Sequence, residues 1–176
     1  AFNYIRDFSA AINGGTDSAD DVLSLTGFGR RISTNDVSMT GGAGIDTLTV
    51  ALTGTYSVES NTVSMDGGDG ADTLSLSLAV TGGGYYVAYN TLSMDGGAGN
   101  DALTLTAFAS EVYENKVTMT GGAGIDALTI SLAGTDSVDD NTVSMDGGGD
   151  DDTLSLSLAA TGGTYYVEYN TVTMDA

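Results

Sequence analysis

Apolar and polar residues alternate with a period of two in short segments along the whole chain. In one set of segments, a leucine is followed two residues later by another aliphatic residue, with a hydroxyl residue between them. This pattern is typical of a β-strand with one buried and one solvated face. The leucines are Leu23, Leu48, Leu74, Leu103, Leu128 and Leu154, and the hydroxyl residues are Ser24, Thr49, Ser75, Thr104, Thr129 and Ser155. We predict that the aliphatic side chains point inward and the hydroxyls outward.

A second alternating segment follows each of these strands and carries an inward valine or leucine and then a methionine. All six methionines of the chain fall in that one column, namely Met39, Met65, Met94, Met119, Met145 and Met174. Stacked thioethers can bind soft metals, but we interpret the column as core, because methionine readily fills irregular apolar space. An asparagine begins each of these segments, at Asn35, Asn61, Asn90, Asn115, Asn141 and Asn170. We predict a ladder of amide hydrogen bonds there, with Asn also suited to the left-handed geometry of a bend.

The two segments belong to a repeat that recurs along the chain. Glycine pairs begin at Gly14, Gly41, Gly67, Gly96, Gly121 and Gly147, with spacings of 27, 26, 29, 25 and 26 residues. Residues 41–95 and 121–175 match at 40 of 55 positions without a gap. This periodicity predicts an all-β fold, a parallel β-solenoid (β-roll or β-helix-like) of six coils of 25–29 residues in two three-coil units. A further aliphatic residue stands three residues before each of these asparagines, and it predicts a short third strand or return limb. Coil length varies only between the first strand and this limb.

We assign residues 14–176 to the six-coil solenoid and residues 1–13 to an N-terminal cap or assembly segment, since the latter lack the glycine-aspartate signature. Ile5 and Ile12 can be registered on the Val and Met columns, which favours a divergent half-coil. An amphipathic helical cap is the alternative.

Aspartates follow the glycine pairs in every coil, at Asp21, Asp46, Asp72, Asp101, Asp126 and Asp152. A further acid directly precedes the glycines at Asp66, Asp95, Asp146 and Asp175. In stacked coils such carboxylates lie about 4.8 Å apart and repel each other strongly. The chain has 24 acidic and 4 basic residues, a formal net charge of −20. A foldable chain of this charge implies that cations offset the repulsion.

The glycine-aspartate turn resembles the calcium-binding nonapeptide of the RTX (haemolysin-type) repeats of secreted bacterial proteins. Residues 41–49 read Gly-Gly-Ala-Gly-Ile-Asp-Thr-Leu-Thr, and the stretches that begin at Gly67, Gly96 and Gly121 fit the same pattern. The copy at Gly147 has Asp150 in place of the third glycine, and the first copy is two residues longer, which puts a site at Asp21 in doubt. Here each coil carries one nonapeptide, so we expect ions on one edge only and a different, longer turn opposite.

The resemblance implies Ca²⁺ as the cofactor, held by glycine carbonyls and aspartate carboxylates between successive coils. Calcium prefers six to eight hard oxygen ligands, and glycine lets the backbone turn its carbonyls toward an ion. The implied metal-site residues are Gly41, Gly67, Gly96, Gly121, Gly147, Asp21, Asp46, Asp66, Asp72, Asp95, Asp101, Asp126, Asp146 and Asp152.

Other function classes fit the composition less well. The negative charge repels nucleic acid and anionic membranes, and no apolar run approaches the about 20 residues of a membrane span. The chain has no Cys and no His, and its acids repeat in register without forming one unique cluster, so we expect no enzyme. We expect an extracellular or cell-surface structural protein. A cell-surface glycan or another surface protein is a further candidate partner. The alternative is an ice-binding or adhesin-type solenoid that uses its outward Thr and Ser face.

Assembly is expected from the two ends of the sequence. The sequence stops at residues 174–176, where the next glycine is due, and residues 1–13 are rich in large apolar side chains, including Phe2 and Phe8. Head-to-tail stacking into a filament or surface layer would cover both, although a segment cut from a longer array would look the same. Two groups of tyrosines recur with the three-coil period, and two interpretations are open: they form a contact patch, or they fill the interior of a wider coil. The groups are Tyr85, Tyr86 and Tyr89, and Tyr165, Tyr166 and Tyr169.

Overall fold

The computed structural model of the protein describes residues 3–83, 85–162 and 166–176, and these residues form strands and tight turns without a helix. Phe2 and Tyr165, which take part in two of the sequence-based predictions, lie outside the described residues. The strands are β1 (Tyr4–Arg6), β2 (Ser9–Asn13), β3 (Val22–Ser33), β4 (Asp36–Ala43), β5 (Thr47–Glu59), β6 (Thr62–Asp69), β7 (Thr73–Val80), β8 (Tyr86–Ala88), β9 (Thr91–Ala98), β10 (Ala102–Tyr113), β11 (Lys116–Ala123), β12 (Ala127–Asp139), β13 (Thr142–Gly149), β14 (Thr153–Ala160), β15 (Tyr166–Glu168) and β16 (Thr171–Asp175).

The strands form two sheets in which equivalent segments of successive coils pair in parallel. The first sheet runs β1-β3-β5-β7-β10-β12-β14, with β8 and β15 attached to it. The second sheet runs β16-β13-β11-β9-β6-β4-β2. The chain is therefore a parallel β-solenoid of about six turns, as the repeat predicts.

The core lies between the two sheets and is built from the columns that the alternation predicts. Leu74 and Leu103 are fully buried and pair in register, while Thr104 is exposed on the opposite face of its strand. In the second sheet, Met65 and Met94 are neighbours in register, and each is 1% exposed. The predicted strand parity and the assignment of the methionine column to the core are confirmed.

The return limb is the edge of the solenoid opposite the glycine turns. In β3, β5, β10 and β12 the first strand simply continues into this limb, with an irregularity in register such as that between Ala109 and Glu111 in β10. In the third coil β7 ends at Val80, and the limb is the separate strand β8. The extra residues of the longer coil lie between them, where variation in coil length was predicted. In these four coils the opposite edge is thus a bent strand and a tight corner instead of the longer turn that we expected, whereas the third coil has a longer turn between β7 and β8.

The asparagine column forms the predicted ladder at the corner between the limb and the second sheet. Each side-chain amide donates to the Oδ1 atom of the next asparagine over 2.8–3.0 Å, from Asn35 to Asn170. The left-handed residue of the corner is the one that precedes the asparagine, as at Ser60 (φ 55°) and Asp140 (φ 52°). The asparagine amide stabilises this bend by hydrogen bonding, while its neighbour adopts the positive φ.

Residues 4–13 form strands that continue the stack as half a coil. Ile5 pairs with Ile32 on the limb, and Ile12 pairs with Met39 in the methionine column. Phe8 occupies the place of the ladder asparagine, and its backbone N–H donates to the Oδ1 atom of Asn35 over 3.1 Å. The helical alternative for this segment is therefore wrong.

Candidate metal centre

The glycine-aspartate turn requires glycine at two kinds of position. Gly68 and Gly70 have φ values of +104° and +145°, in the region that residues with side chains rarely adopt. A side chain on Gly70 would also collide with the carbonyl oxygen of Gly44 in the coil below. In the sixth turn, Asp150 takes the place of this glycine with φ of 76°, so an aspartate does adopt the left-handed geometry there.

The aspartate column forms a ladder of its own inside the turn. The backbone N–H of Asp72 donates to the Oδ1 atom of Asp101 over 2.7 Å, and the N–H of Asp101 donates to Oδ1 of Asp126 over 2.8 Å. The same bond joins Asp21 to Asp46, Asp46 to Asp72, and Asp126 to Asp152. Each of these carboxylates therefore bridges two coils.

The second oxygen of these carboxylates has no hydrogen-bond partner. The Oδ2 atoms of Asp46, Asp72, Asp101, Asp126 and Asp152 are all buried and unpaired. The position that a Cβ atom would take on Gly41 lies 2.5 Å from Oδ2 of Asp46 and 2.6 Å from the carbonyl oxygen of Gly67. Glycine is therefore obligatory here, because a side chain would fill the space between a carboxylate oxygen and a carbonyl oxygen. The first glycines of the other pairs, Gly67, Gly96, Gly121 and Gly147, face the Oδ2 atom of their own aspartate in the same way.

Burial perturbs the acidity of the central aspartates. Desolvation raises the pKa of Asp101 to about 6, with further increases from Asp126 and Asp72. Desolvation likewise raises the pKa of Asp72 and of Asp126. The backbone N–H bond to Oδ1 opposes the shift but does not cancel it, because half of each carboxylate remains unpaired.

The outer acids lie beside this column on the exposed face of the second sheet. Asp66 and Asp95 are neighbours in register, while Thr120 separates Asp95 from Asp146. Burial, and then the charge of Asp66, raises the pKa of Asp95. These acids add negative potential along the turn, but their exposed side chains belong to a different face from the buried Oδ2 atoms.

The first and last turns keep the aspartate in its column. Asp21 is partly exposed, yet Gly14 faces its Oδ2 atom as the later glycines face theirs, so the two additional residues bulge out of the turn without displacing the carboxylate. Asp152 is also partly exposed and accepts the ladder bond from Asp126. The six aspartates of the column thus occupy equivalent positions beside the first glycine of each pair, and five of them have a buried, unpaired Oδ2 atom. The other three aspartates predicted as ligands, Asp66, Asp95 and Asp146, lie outside this column.

The donor set suits a hard cation bound largely by the backbone. In the described part of the chain, no three acidic side chains converge on one point. A cation at this edge would therefore take one Oδ2 atom and complete its shell with backbone carbonyl oxygens, and oxygen donors of this kind fit Ca²⁺. Sequence reasoning missed that the aspartates are buried. The signal was present, since Asp46 lies two residues before the inward Leu48 and so shares its face.

Fold and edge together define a parallel two-sheet β-solenoid with a buried aspartate ladder along one edge. Comparison of the chain with models of known protein families, with curated proteins and with solved structures finds no significant match. Within the described residues, no helix of the length and apolarity needed to cross a membrane is present.

Proposed function

We propose that the protein is a calcium-stabilised structural solenoid that acts outside the cell, at or near its surface. The observation that carries this proposal is the column of five buried Oδ2 atoms without a hydrogen-bond partner. An ionised carboxylate in such a place is costly unless a proton or a cation compensates it. The resemblance of the turns to RTX repeats supports calcium as that cation and secretion as the route to its site of action.

Calcium would couple folding to the extracellular environment. The residues that would hold it are the column aspartates and the carbonyl groups of the glycine turns that face them. Bound cations would offset the repulsion within a chain of net charge −20, and a site formed only in the stacked coils makes binding free energy available to folding. Affinity in the millimolar range would suit an extracellular site.

The proposal includes end-to-end assembly of the solenoid. In the last coil, the inward residues of β15 and β16 are exposed, with Val172 at 41% and Met174 at 44%, and those of β14 are only partly buried. At the other end of the stack, Tyr4 and Phe8 are 42% and 45% exposed. Stacking of a further copy would cover these side chains and pair the open sheet edges.

Thermal unfolding of Asp101→Asn tests the calcium proposal. With calcium, we expect the wild-type melting temperature to rise by more than about 10 °C, as several sites bind (roughly 2–4 °C for each kcal/mol in a domain of about 150–250 residues). Asp101→Asn removes a buried charge, so it should be more stable than the wild type in chelator and gain less from calcium. Asp36→Asn removes an equally charged but exposed side chain far from the turn and should change neither value.

Two results would contradict the proposal. One is a wild-type melting temperature that is the same in calcium and in excess chelator. The other is an Asp101→Asn variant that gains as much stability from calcium as Asp36→Asn. Electron microscopy of the same samples tests assembly, because filaments should form in calcium only.

An ice-binding role is the second candidate, and the outer face of the first sheet supports it. The residues in its columns are small and mostly hydroxylated: Thr47, Thr73, Ala102, Ala127 and Thr153 in one, and Thr49, Ser75, Thr104, Thr129 and Ser155 in the next. Parallel register holds these side chains in straight rows. A measurement of thermal hysteresis in calcium separates the two candidates, because only an ice-binding face depresses the freezing point below the melting point.

A further inference from the structure

The outer face of the return limb consists of seven stacked segments of up to five residues. We name it the limb face, and its segments are 4–7, 30–34, 56–60, 85–89, 110–114, 136–140 and 166–169. Parallel register aligns them into columns, so that Tyr4, Arg31, Ser57, Tyr86, Glu111, Ser137 and Tyr166 form one column. At about 4.8 Å between coils, the face is about 29 Å long.

Charge is distributed unevenly along this face. Three of the four basic residues of the chain, Arg6, Arg30 and Arg31, lie in its first two segments. The last three segments carry six acids and no base: Glu111, Glu114, Asp136, Asp139, Asp140 and Glu168. The first two segments also contain Asp7, so their formal charge is +2, against −6 for the last three segments. The limb face is therefore basic at one end and acidic at the other.

Tyrosines occupy the middle of the limb face and contact one another. The ring centroids of Tyr56 and Tyr85 are 4.5 Å apart, and those of Tyr86 and Tyr113 are 5.7 Å apart. The ring of Tyr89 meets that of Tyr113 edge-on at 5.4 Å. Tyr85 and Tyr89 are about half exposed, at 55% and 47%. Such a cluster of amphipathic rings is typical of the centre of a protein interface.

The charge difference between the two three-coil units is largest on the limb. In the glycine turns, Asp150 and Asp151 replace Gly70 and Ala71 while Gly149 replaces Asp69, a net change of one charge. The two three-coil units are otherwise closely similar, yet Tyr56 corresponds to Asp136, Ser60 to Asp140 and Ala88 to Glu168. All three changes add negative charge to the limb face of the second unit. Between the same two units, the inward positions change only among aliphatic residues, as at Val50 and Ile130.

We propose that the limb face is a self-docking surface on which two copies of this chain pair antiparallel about a two-fold axis. The axis passes through the fourth segment, so the first segment of one copy faces the seventh of the other, and the second faces the sixth. This inference goes beyond the proposed function and does not require end-to-end stacking.

Antiparallel pairing places five of the six acids of the last three segments opposite a basic or hydroxyl side chain. The facing positions are Arg6 with Glu168, Arg30 with Asp136, Ser33 with Asp139, Thr34 with Asp140, Glu59 with Tyr113, and Ser60 with Glu114, while Glu111 faces the position of Ser57, whose side chain is buried. The tyrosines of the fourth segment face their own copies on the axis, as an isologous contact requires. A pairing in which equal segments face each other would instead place each acidic segment opposite its own copy, with Asp136 facing Asp140.

Contacts within each copy hold the basic end in place before docking. The guanidinium of Arg31 lies 4.9 Å from the centre of the Tyr56 ring, and its Nε atom lies 3.6 Å from Glu59. The guanidinium of Arg30 covers the same ring at 5.1 Å. Ordered side chains lose less entropy on binding. The face is narrow, so the pair belongs to the class of small, weak interfaces, in which repetition along a stacked array adds strength.

The first test is a charge exchange, measured by sedimentation equilibrium of the full chain in calcium at up to about 1 mM protein, the range for weak interfaces. Arg30→Asp and Asp136→Arg, in the second and sixth segments and so away from the stacking ends, should each lower the dimer association constant at least about fivefold, and the double variant should restore it. Lys116→Glu makes the same charge change in the second sheet, outside the limb face, and should have no effect. A wild-type monomer throughout this range, or a double variant no better than the single ones, would overturn the proposal.

The second test uses the absence of cysteine from the chain. Tyr85→Cys lies next to the two-fold axis and should form a disulfide-linked dimer rapidly under mild oxidation. Thr104→Cys, on the outer face of the first sheet, should form one slowly. Equal rates for the two variants contradict the two-fold pair. Monomeric protein whose limb tyrosines bind an oligosaccharide would assign the face to a glycan and overturn self-docking, while leaving the calcium proposal intact.

Discussion

Asp101 illustrates at the scale of one residue how the turn combines two conflicting requirements. Its Oδ1 atom accepts the backbone N–H of Asp72 and so joins two coils. Its Oδ2 atom lies beside Gly96, buried and unpaired. The bond to Oδ1 favours the ionised carboxylate, while burial of Oδ2 disfavours it. Burial prevails, since the pKa rises to about 6, and the residue is therefore poised to exchange a proton for a cation.

This raised pKa predicts how the stability of the calcium-free protein depends on pH. A carboxyl group whose pKa is higher in the folded than in the unfolded state binds its proton more tightly when folded. The stabilisation of the folded state that this group provides is fully present below about pH 4 and is lost as the pH rises through about 6. We expect the melting temperature of calcium-free protein to fall between these values, and the stabilisation by calcium to grow over the same interval. Calcium-free protein that becomes more stable from about pH 4 to 6 would contradict the assignment.

At the scale of the strand, the two faces of β10 should respond in opposite ways to the same substitution. Leu103→Asp places a charge in the closed core between the sheets, where no partner can reach it, and should abolish folding. Thr104→Asp adds the same charge on the exposed face of the same strand and should shift the melting temperature by only a few degrees. Circular dichroism distinguishes the two results. Similar losses for both variants would mean that the inward and outward faces are wrongly assigned.

The asparagine ladder makes a prediction for the corner that joins the limb to the second sheet. The Asn90 amide donates to the carbonyl oxygens of Val58 and Ala88 and to Oδ1 of Asn115. Asn90→Ala removes these bonds and leaves buried groups unpaired, so it should lower the free energy of unfolding by about 2–3 kcal/mol. Asn170→Ala, in a more exposed coil, should cost less. Chemical denaturation in calcium measures both, and equal losses would argue against burial as the cause.

At the scale of the whole molecule, the repeat allowed most of the fold to be predicted. Each column needs the same residue type in every coil, so Leu74, Met65 and Asn61 could be placed from spacing alone. The shape of the limb could not be predicted. The strand continues into the limb in β10 but ends before it in β7, and this difference depends on packing between coils. The charge pattern of the limb face was also missed, since Arg6 and Glu168 belong to one surface only after the coils are stacked.

The aspartate column shows the same limit at the candidate site. The glycine-aspartate motif predicted the position of Asp101 in the turn, but not that one of its oxygens would be buried without a partner. The spacing from the inward leucine indicates the burial, but the missing hydrogen-bond partner arises from the closeness of the stacked turns, and spacing along one coil does not report it. We therefore expect the stability of the whole molecule to depend on how the charge of this row of buried carboxylates is compensated.

The most direct test of this account is anomalous diffraction from crystals grown in calcium. We predict a row of anomalous peaks along the glycine-turn edge, each about 2.3–2.6 Å from an Oδ2 atom of the aspartate column, and none along the return limb. Crystals of the folded solenoid grown in calcium that show no peak along the glycine turns would contradict the claim that calcium neutralises these carboxylates.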